Sequence, residues 1–251
     1  MTKPDRPKIL GVPFDFVSPI QAFDTIESWR KNGERGYVTF INPFGVMASR
    51  RDPEVAKATS GADLALPDGI GIVIAGKMSR YKNVARVPGP SFMLKLCDWG
   101  RQHGYRHFFY GGAEGQPEKL ADMLRDKYPG LIVAGTLATP FSAKPRDDGE
   151  VTAEINAARP DVVWVGIGSP RQEKWMASHV GRIGAAAMLG VGAAFDFQCG
   201  RVAWAPPWVR RTGFEWAYRL MQEPRRLWKR TLVDSPVFMA AAVGEAIFGS
   251  K

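Results

Sequence analysis

Asp161-Val-Val-Trp-Val-Gly-Ile-Gly-Ser-Pro-Arg-Gln-Glu173 is the stretch on which the reading of this chain turns. Its apolar run, Asp161 to Ile167, is continuous rather than alternating, as in a parallel strand buried on both faces. Gly166 and Gly168 end the run, and Gln172 to His179 reads as the helix that follows. Such a strand-to-helix turn presents backbone amides at a helix N-terminus, where the macrodipole already favours anions. Gly-x-Gly alone is an ordinary connection. With Pro170, Arg171, Gln172 and Glu173 beside it, the turn reads as the mouth of a nucleotide pocket.

The same alternation runs through the second half of the chain. Arg106 to Tyr110, Leu131 to Gly135 and Ala187 to Val191 are further predicted strands, with helical patterns at Gln116 to Lys127 and Asp148 to Arg159. In the first half, Ser18 can cap a helix running to Lys31, Tyr37 to Ile41 is a strand, and Phe44 to Ser60 is helical with Pro53 breaking or restarting it. Asp63 to Leu66 is a short buried strand. Gly71 to Met78 and Ser91 to Gly104 supply further helices around a looser Arg86-Val-Pro-Gly-Pro90. The fold class that follows is α/β: a Rossmann-like parallel sheet with flanking helices, its loops gathered beyond the strand C-termini. Pro206-Pro207 is the clearest boundary. It divides a body, residues 1–205 (about 1–104 and 105–205), from a basic, aromatic, helical C-terminal appendage, residues 206–251.

Composition narrows the class. The chain has 251 residues, 45% hydrophobic and 24% charged, which describes an ordinary globular protein able to bury a sizeable core. Two isolated cysteines, Cys97 and Cys199, supply neither a disulfide framework nor a cysteine zinc site and fit a reducing cytosol. The charged N-terminus does not read as a secretory signal, and no stretch approaches the ~20 apolar residues needed to span a bilayer. Val237 to Phe248 comes nearest, but it is short and contains Glu245; an interfacial position suits it better. The net charge of +9 is concentrated: Arg201 to Arg230 holds eight basic and two acidic residues with Trp204, Trp208, Trp216 and Trp228. Cations interleaved with indoles suit an anionic membrane surface, or else a solvated helical face over core tryptophans.

Two more segments complete the pattern, Leu66-Pro-Asp-Gly-Ile-Gly71 and Gly190-Val-Gly-Ala-Ala-Phe-Asp-Phe197, followed by Glu215-Trp-Ala-Tyr-Arg-Leu and Glu223-Pro-Arg-Arg. Together with the Gly166 to Glu173 turn, in this order from about Asn42 to about Arg230, they resemble the WecG/TagA/CpsF glycosyltransferase family. That resemblance implies an inverting glycosyltransferase that moves a hexose or N-acetylhexosamine (N-acetylmannosamine, its uronic acid, or glucose) from a UDP-sugar. The implied acceptor is a polyprenyl-diphosphate-linked saccharide, met at the inner face of the cytoplasmic membrane. No cofactor is implied. Self-association stays open.

Individual residues carry a chemical and a plain reading side by side. Asp68, in a turn that Gly69 and Gly71 make sharp, presents a carboxylate able to take a proton from an attacking hydroxyl, or it caps the next helix. The resemblance implies the first, a general base. Asn42 matches the family's Asn-Pro pair and otherwise forms an Asx turn ahead of Pro43. The family often has threonine two residues before that asparagine; here Phe40 stands there and Thr39 one position earlier, so Thr39 is the weaker candidate for the catalytic group. Gly111 and Gly112, opening Gly111-Gly-Ala-Glu-Gly115, bring backbone to a diphosphate or simply reverse the chain. By resemblance they line the donor pocket with Gly166, Gly168, Arg171, Gln172 and Glu173. The Gln172 amide both donates and accepts, which suits a sugar hydroxyl or phosphate oxygen; Glu173 caps its helix or fixes Arg171. Arg171 stands where the family usually has lysine. Asp196 is expected on a short extended segment, its aromatic neighbours buried and its carboxylate turned the other way. The resemblance gives it uracil or ribose.

His103, His107 and His179 have no metal-binding spacing, and no Asp-x-Asp pair occurs; Asp147-Asp148 is adjacent, in a polar loop. The expectation is therefore no metal, with leaving-group charge met by amides and by Arg219, Arg225, Arg226 and Arg230. Two other classes compete. A nucleotide-dependent oxidoreductase or epimerase needs Gly-x-Gly-x-x-Gly and a ribose-binding acid about twenty residues on, and the chain lacks that combination. A nucleic-acid-binding module needs basic charge across the body, whereas here it lies beside tryptophans; nucleic acid is not an expected partner. Gly135-Thr-Leu-Ala-Thr-Pro-Phe141 departs from the family's commoner Gly-Tyr-Phe form and leaves room for altered sugar specificity.

Overall fold

A computed structural model of the protein describes residues 6–139 and 148–249. Pro140, Phe141 and Asp147, singled out above, lie outside the described residues. A small antiparallel hairpin, β1 (Lys8–Ile9) and β2 (Val12–Pro13), precedes α1 (Pro19–Asn32). Ser18 and Gln21 close that helix with a reciprocal capping box, and Gly33 ends it in the left-handed region. Then follow β3 (Gly36–Ile41), α2 (Pro43–Arg51), α3 (Pro53–Ser60), β4 (Leu64–Pro67), α4 (Ile70–Met78) and α5 (Gly89–Arg101). The break anticipated at Pro53 falls at Asp52, whose side chain accepts from the Glu54 and Val55 amides and starts the second helix.

The remaining body contains β5 (Arg106–Gly111), α6 (Gln116–Lys127), β6 (Ile132–Leu137), α7 (Asp148–Ala157), β7 (Val162–Gly166), α8 (Arg171–His179), β8 (Ala187–Gly190) and α9 (Ala194–Gln198). Six strands form one parallel sheet in the order β4-β3-β8-β7-β5-β6. The α/β expectation holds in its essentials. One core, including Ile26, Phe92, Phe109 and Trp164, covers one face of the sheet; another, including Tyr37, Val163, Met176 and Met188, covers the other. After β5 the chain turns outward to β6, and after β7 it turns the opposite way to β8, so the β5–β7 crevice is a topological switch point, where open α/β sheets bind ligands.

The C-terminal region is helical: α10 (Pro207–Thr212), α11 (Glu215–Gln222), α12 (Pro224–Trp228), a π-helical turn (Lys229–Asp234) and α13 (Ser235–Phe248). Its parts are held differently. In α13, Phe238 and Ala242 sink into a third core with Ile9, Ile41, Ala65 and Ile72, and Glu245 accepts from the Leu10 amide at 2.8 Å. α11 contributes no fully buried residue. A boundary at Pro206 therefore marks a change of composition, but the last helix is built into the body. Pro224–Phe248 as one helical run is long and apolar enough, by length and composition, to cross a membrane, which corrects the shorter span read from the sequence. Trp208, Phe214, Trp216, Met221, Leu232, Ile247 and Phe248 are exposed on this region.

Candidate active site

Two cavities open above the C-terminal edge of the sheet. The first, of about 520 Å³, lies over the ends of β3, β5, β7 and β8 and is lined by Gly112, Gly166, Gly168, Gln172 and Asp196 among others. The second, of about 430 Å³, lies between α2, α4 and the C-terminal helices, with Phe44, Ile70, Ile74, Trp216, Leu227 and Met239 in its walls. Asn42, Asp68, Pro90, Phe197, Arg219 and Arg230 line both. These volumes fall within the range of small-molecule sites.

Gly112, Gly166, Gly168, Gly190 and Gly192 line the first cavity, while Gly111, expected with them, does not. Gly111 and Gly166 are register partners, and a Cβ on Gly111 would lie 2.6 Å from the Gly166 carbonyl carbon. Gly111 also has φ of 124°, a conformation reserved for glycine. A Cβ on Gly190 would meet the Gln172 amide nitrogen at 3.0 Å, so Gln172 lies across the end of β8. Gln172 is 4% exposed and Glu173 6%. Gln172 Nε2 donates to Glu173 Oε1 at 3.1 Å, while Gln172 Oε1 and Glu173 Oε2 have no partner. Burial raises the Glu173 carboxyl above its ordinary range, against the pull of hydrogen bonds from Gln172 and Ser169 and the charge of Arg230. The Glu173 side chain faces inward in the first turn of α8, where it accepts from its own backbone amide and has Gln172 and Ser169 as neighbours.

At the far end of this cavity Asp196 sits on α9, a helix where an extended segment was expected. Phe195 and Phe197 are both buried as anticipated, because so short a helix is enclosed on several sides. Gln116 Nε2 donates to Asp196 Oδ1 at 2.9 Å, and Gln116 Oε1 accepts from the Ala113 amide at 2.9 Å and from Arg201 Nη1 at 3.0 Å. One buried amide thus joins the glycine loop after β5, the Asp196 carboxylate and a guanidinium.

Asp68 stands where the cavities meet. Its backbone is fixed: its amide donates to Ile41 O at 2.9 Å, and Arg86 Nε donates to its carbonyl at 2.6 Å. Its carboxylate caps nothing, since Gly69 occupies the N-cap of α4 without a side-chain bond. Desolvation raises its pKa from 3.8 to about 6; the Arg86 and Arg219 charges oppose that rise and Glu215 reinforces it. Asn42 does cap α2, accepting from the Gly45 amide at 3.0 Å, and still faces both cavities. Thr39 lines neither: it is wholly buried within β3, its hydroxyl without a partner.

Four arginines were expected near the leaving group, and the structure separates them. Arg219 lies over the Phe197 ring with 4.9 Å from Cζ to centroid, its Nε buried and unpartnered. Arg230, in the π-helical turn, stacks on Phe44 at 3.8 Å and donates to Ser169 O at 3.2 Å. Burial draws both guanidinium pKa values down, yet both stay charged. Arg226 reaches the first cavity. Arg225 is exposed and lines neither cavity. Sequence reading missed Arg86, Gln116, Phe197 and Arg201, and only Gln116, opening a helix just after the Gly111–Gly115 loop, carried a local signal. Among the described residues, no group of three or more His, Cys, Asp or Glu side chains is gathered to hold a metal. His107 is a packing residue whose Nδ1 accepts from Trp164 Nε1 at 3.2 Å, and burial lowers its pKa to about 3.

The sequence profile of the Glycosyl transferase WecG/TagA/CpsF family matches residues 7–251. Among curated relatives, an N-acetylglucosaminyldiphosphoundecaprenol N-acetyl-beta-D-mannosaminyltransferase of Bacillus spizizenii is 32% identical over 82% of this chain and 78% of its own length. Proteins of the same name from Bacillus subtilis and Staphylococcus aureus are 30% and 25% identical, over 78% and 92% of this chain and 74% and 89% of theirs.

Proposed function

Because this chain belongs to the WecG/TagA/CpsF glycosyltransferase family, we propose that it moves a sugar from a UDP-sugar donor to a saccharide carried on a polyprenyl diphosphate. The names of its relatives make N-acetylmannosamine the first donor sugar to test and diphosphate-linked N-acetylglucosamine the first acceptor. One observation carries the reading: a carboxylate with no hydrogen-bond partner among the described residues, Asp68, sits at the junction of a glycine-lined polar cavity and an apolar one, with Arg219 and Arg230 bordering both.

The donor belongs in the first cavity. The amides after β5 and β7 and the N-terminus of α8 suit its diphosphate, Gln172 its sugar or phosphate oxygens, and Asp196, held by Gln116, its uracil or ribose. The acceptor enters from the second, with its diphosphate near Arg219 and Arg230 and its first prenyl carbons against Ile70, Ile74, Trp216 and Met239. In a single displacement the acceptor oxygen attacks the anomeric carbon and gives its proton to Asp68. The bond to the UDP oxygen breaks with its electron pair, and configuration inverts. Arg226, Arg230 and backbone amides offset the charge that develops on UDP, in a mechanism that calls on no metal. With a pKa of about 6, Asp68 is largely ionised at neutral pH and a stronger base than an ordinary carboxylate. The exposed Trp208, Trp216 and Trp228, in a segment rich in arginine and lysine, and the exposed Phe248 suit peripheral docking on an anionic inner leaflet.

Labelled UDP-sugars offered with a diphosphate-lipid-linked N-acetylglucosamine test this reading. Label passing into the lipid extract supports it. Label that reaches only water, or none that moves with any UDP-sugar, defeats it.

A further inference from the structure

The helix that covers the site is held by charge rather than by a core, and it is tied to the loop that carries Asp68. Glu215 opens α11 and uses both carboxylate oxygens: Oε2 accepts from Arg86 Nη2 at 2.7 Å, and Oε1 accepts from Trp204 Nε1 at 3.1 Å. The Arg86 and Glu215 side chains are 21% and 13% exposed, so solvent screens the pair only in part. Arg86 is also anchored at its other end, where Nε donates to the Asp68 carbonyl. Its neighbour Val87 donates from its amide to the Pro67 carbonyl at 2.7 Å. The guanidinium therefore lies alongside Asp68, bonded to its backbone and not to its carboxylate.

That arrangement has an alternative. An arginine next to two carboxylates, one of them on a helix without a fully buried residue, pairs with the other when the helix leaves. Paired with Arg86, Asp68 would hold no proton near neutral pH and would be a weak base. We infer that Glu215 is a positioning residue: by engaging Arg86 it keeps that guanidinium off the Asp68 carboxylate, so the base is free only while α11 is docked. The inference rests on Asp68 acting as the base proposed above. It links the closing of the C-terminal helices to the chemistry itself: a chain with α11 displaced would be silenced by an internal ion pair.

The groups that face the Asp68 carboxylate are Arg86 from the loop before α5, and Glu215 and Arg219 from α11; Arg230 borders the same cavities from the π-helical turn. Glu215 raises the pKa of Asp68 and Arg86 lowers it, so losing the first charge and releasing the second act in one direction.

The test is a pH profile of kcat/KM between pH 4.5 and 9, on the full chain with UDP-sugar and lipid-linked acceptor. Wild type, Glu215→Gln, Asp68→Asn and the double variant Arg86→Gln/Glu215→Gln are compared. Wild-type activity rises with pH through about 6, as Asp68 ionises. In Glu215→Gln the amide still accepts hydrogen bonds but carries no charge; the midpoint falls by about one pH unit or more, and the plateau drops on the order of tenfold. In the double variant the midpoint moves back up, since the competing cation is gone; a general loss of folding would not produce that return. If Glu215→Gln is recovered unfolded, Glu215→Asp, which keeps the charge but withdraws it from Arg86 by one methylene, must show a smaller fall of the same sign. An unshifted midpoint in the folded single variant, or a double variant that titrates like it, overturns the inference. Wild-type turnover in Asp68→Asn instead overturns the assignment of the base, so the two failures are told apart.

Discussion

Asp68→Asn should make this protein more stable at neutral pH while removing its activity. Folding raises the Asp68 pKa from 3.8 to about 6, because burial penalises the charged form. Its stabilising contribution is thus fully present below pH 4, where the carboxyl is neutral in both states, and is lost as pH rises through 6. A rise of about two pKa units corresponds to roughly 3 kcal/mol at the limit, since each unit is worth about 1.4 kcal/mol. Partial exposure of the side chain reduces that to about 1–2 kcal/mol. Asparagine keeps the shape and never ionises. For a chain of this size the gain corresponds to about 2–8 °C in Tm at pH 7.5. Scanning calorimetry at pH 7.5 and pH 4.5 measures it: the variant should melt above wild type at the first pH and close to it at the second. Turnover should fall on the order of 10²-fold or more, with UDP still bound. A variant that melts at or below wild type at both pH values would refute the claim that Asp68 is held in a desolvating site.

Other perturbations separate the parts of the account. Gln172→Ala and Asp196→Ala should each weaken UDP binding in calorimetric titration; wild-type affinity in both would put the donor elsewhere. Arg230→Glu should depress turnover strongly, because Arg230 borders both cavities, whereas Arg225→Glu, outside them, should cost only membrane affinity, about 1 kcal/mol per cation lost plus a similar penalty for the new anion in vesicle sedimentation. Equal kinetic losses would contradict that division. Phe238→Ala should destabilise by about 3–5 kcal/mol in denaturant unfolding, because this fully buried ring joins α13 to the body. A neutral result would mean that this ring does not hold α13 to the body.

Much of the fold was legible because its signals are local. Continuous apolar runs such as Val162 to Val165 and glycine turns at their ends announce parallel strands, and Ser18 and Pro53 mark helix boundaries within a residue or two. Ala-Phe-Asp-Phe alternates like a strand, yet a five-residue helix buries both rings on different partners: Phe195 packs in the core with residues of α5 and α6, and Phe197 stacks on Trp204 beneath Arg219. Thr39 was placed by its distance from Asn42 in sequence, but strand geometry puts its side chain inside the packed sheet. Arg86, Gln116 and Arg201 could not be seen in advance, since what makes them site residues is convergence: Arg86 meets Glu215 across 129 positions, and Gln116 meets Arg201 across 85. Family resemblance named the motif residues, and physical placement added the groups that hold them.

In the proposed reaction Asp68 removes the acceptor proton where the two cavities meet. Rapid-quench single-turnover transfer, with enzyme in excess over labelled UDP-N-acetylmannosamine and saturating diphosphate-lipid-linked N-acetylglucosamine, tests it directly. Wild type should convert the label to an inverted, β-linked lipid product, and Asp68→Asn should bind the same donor but form that product on the order of 10²-fold more slowly or worse. Equal single-turnover rates, or a product with retained configuration, would contradict it.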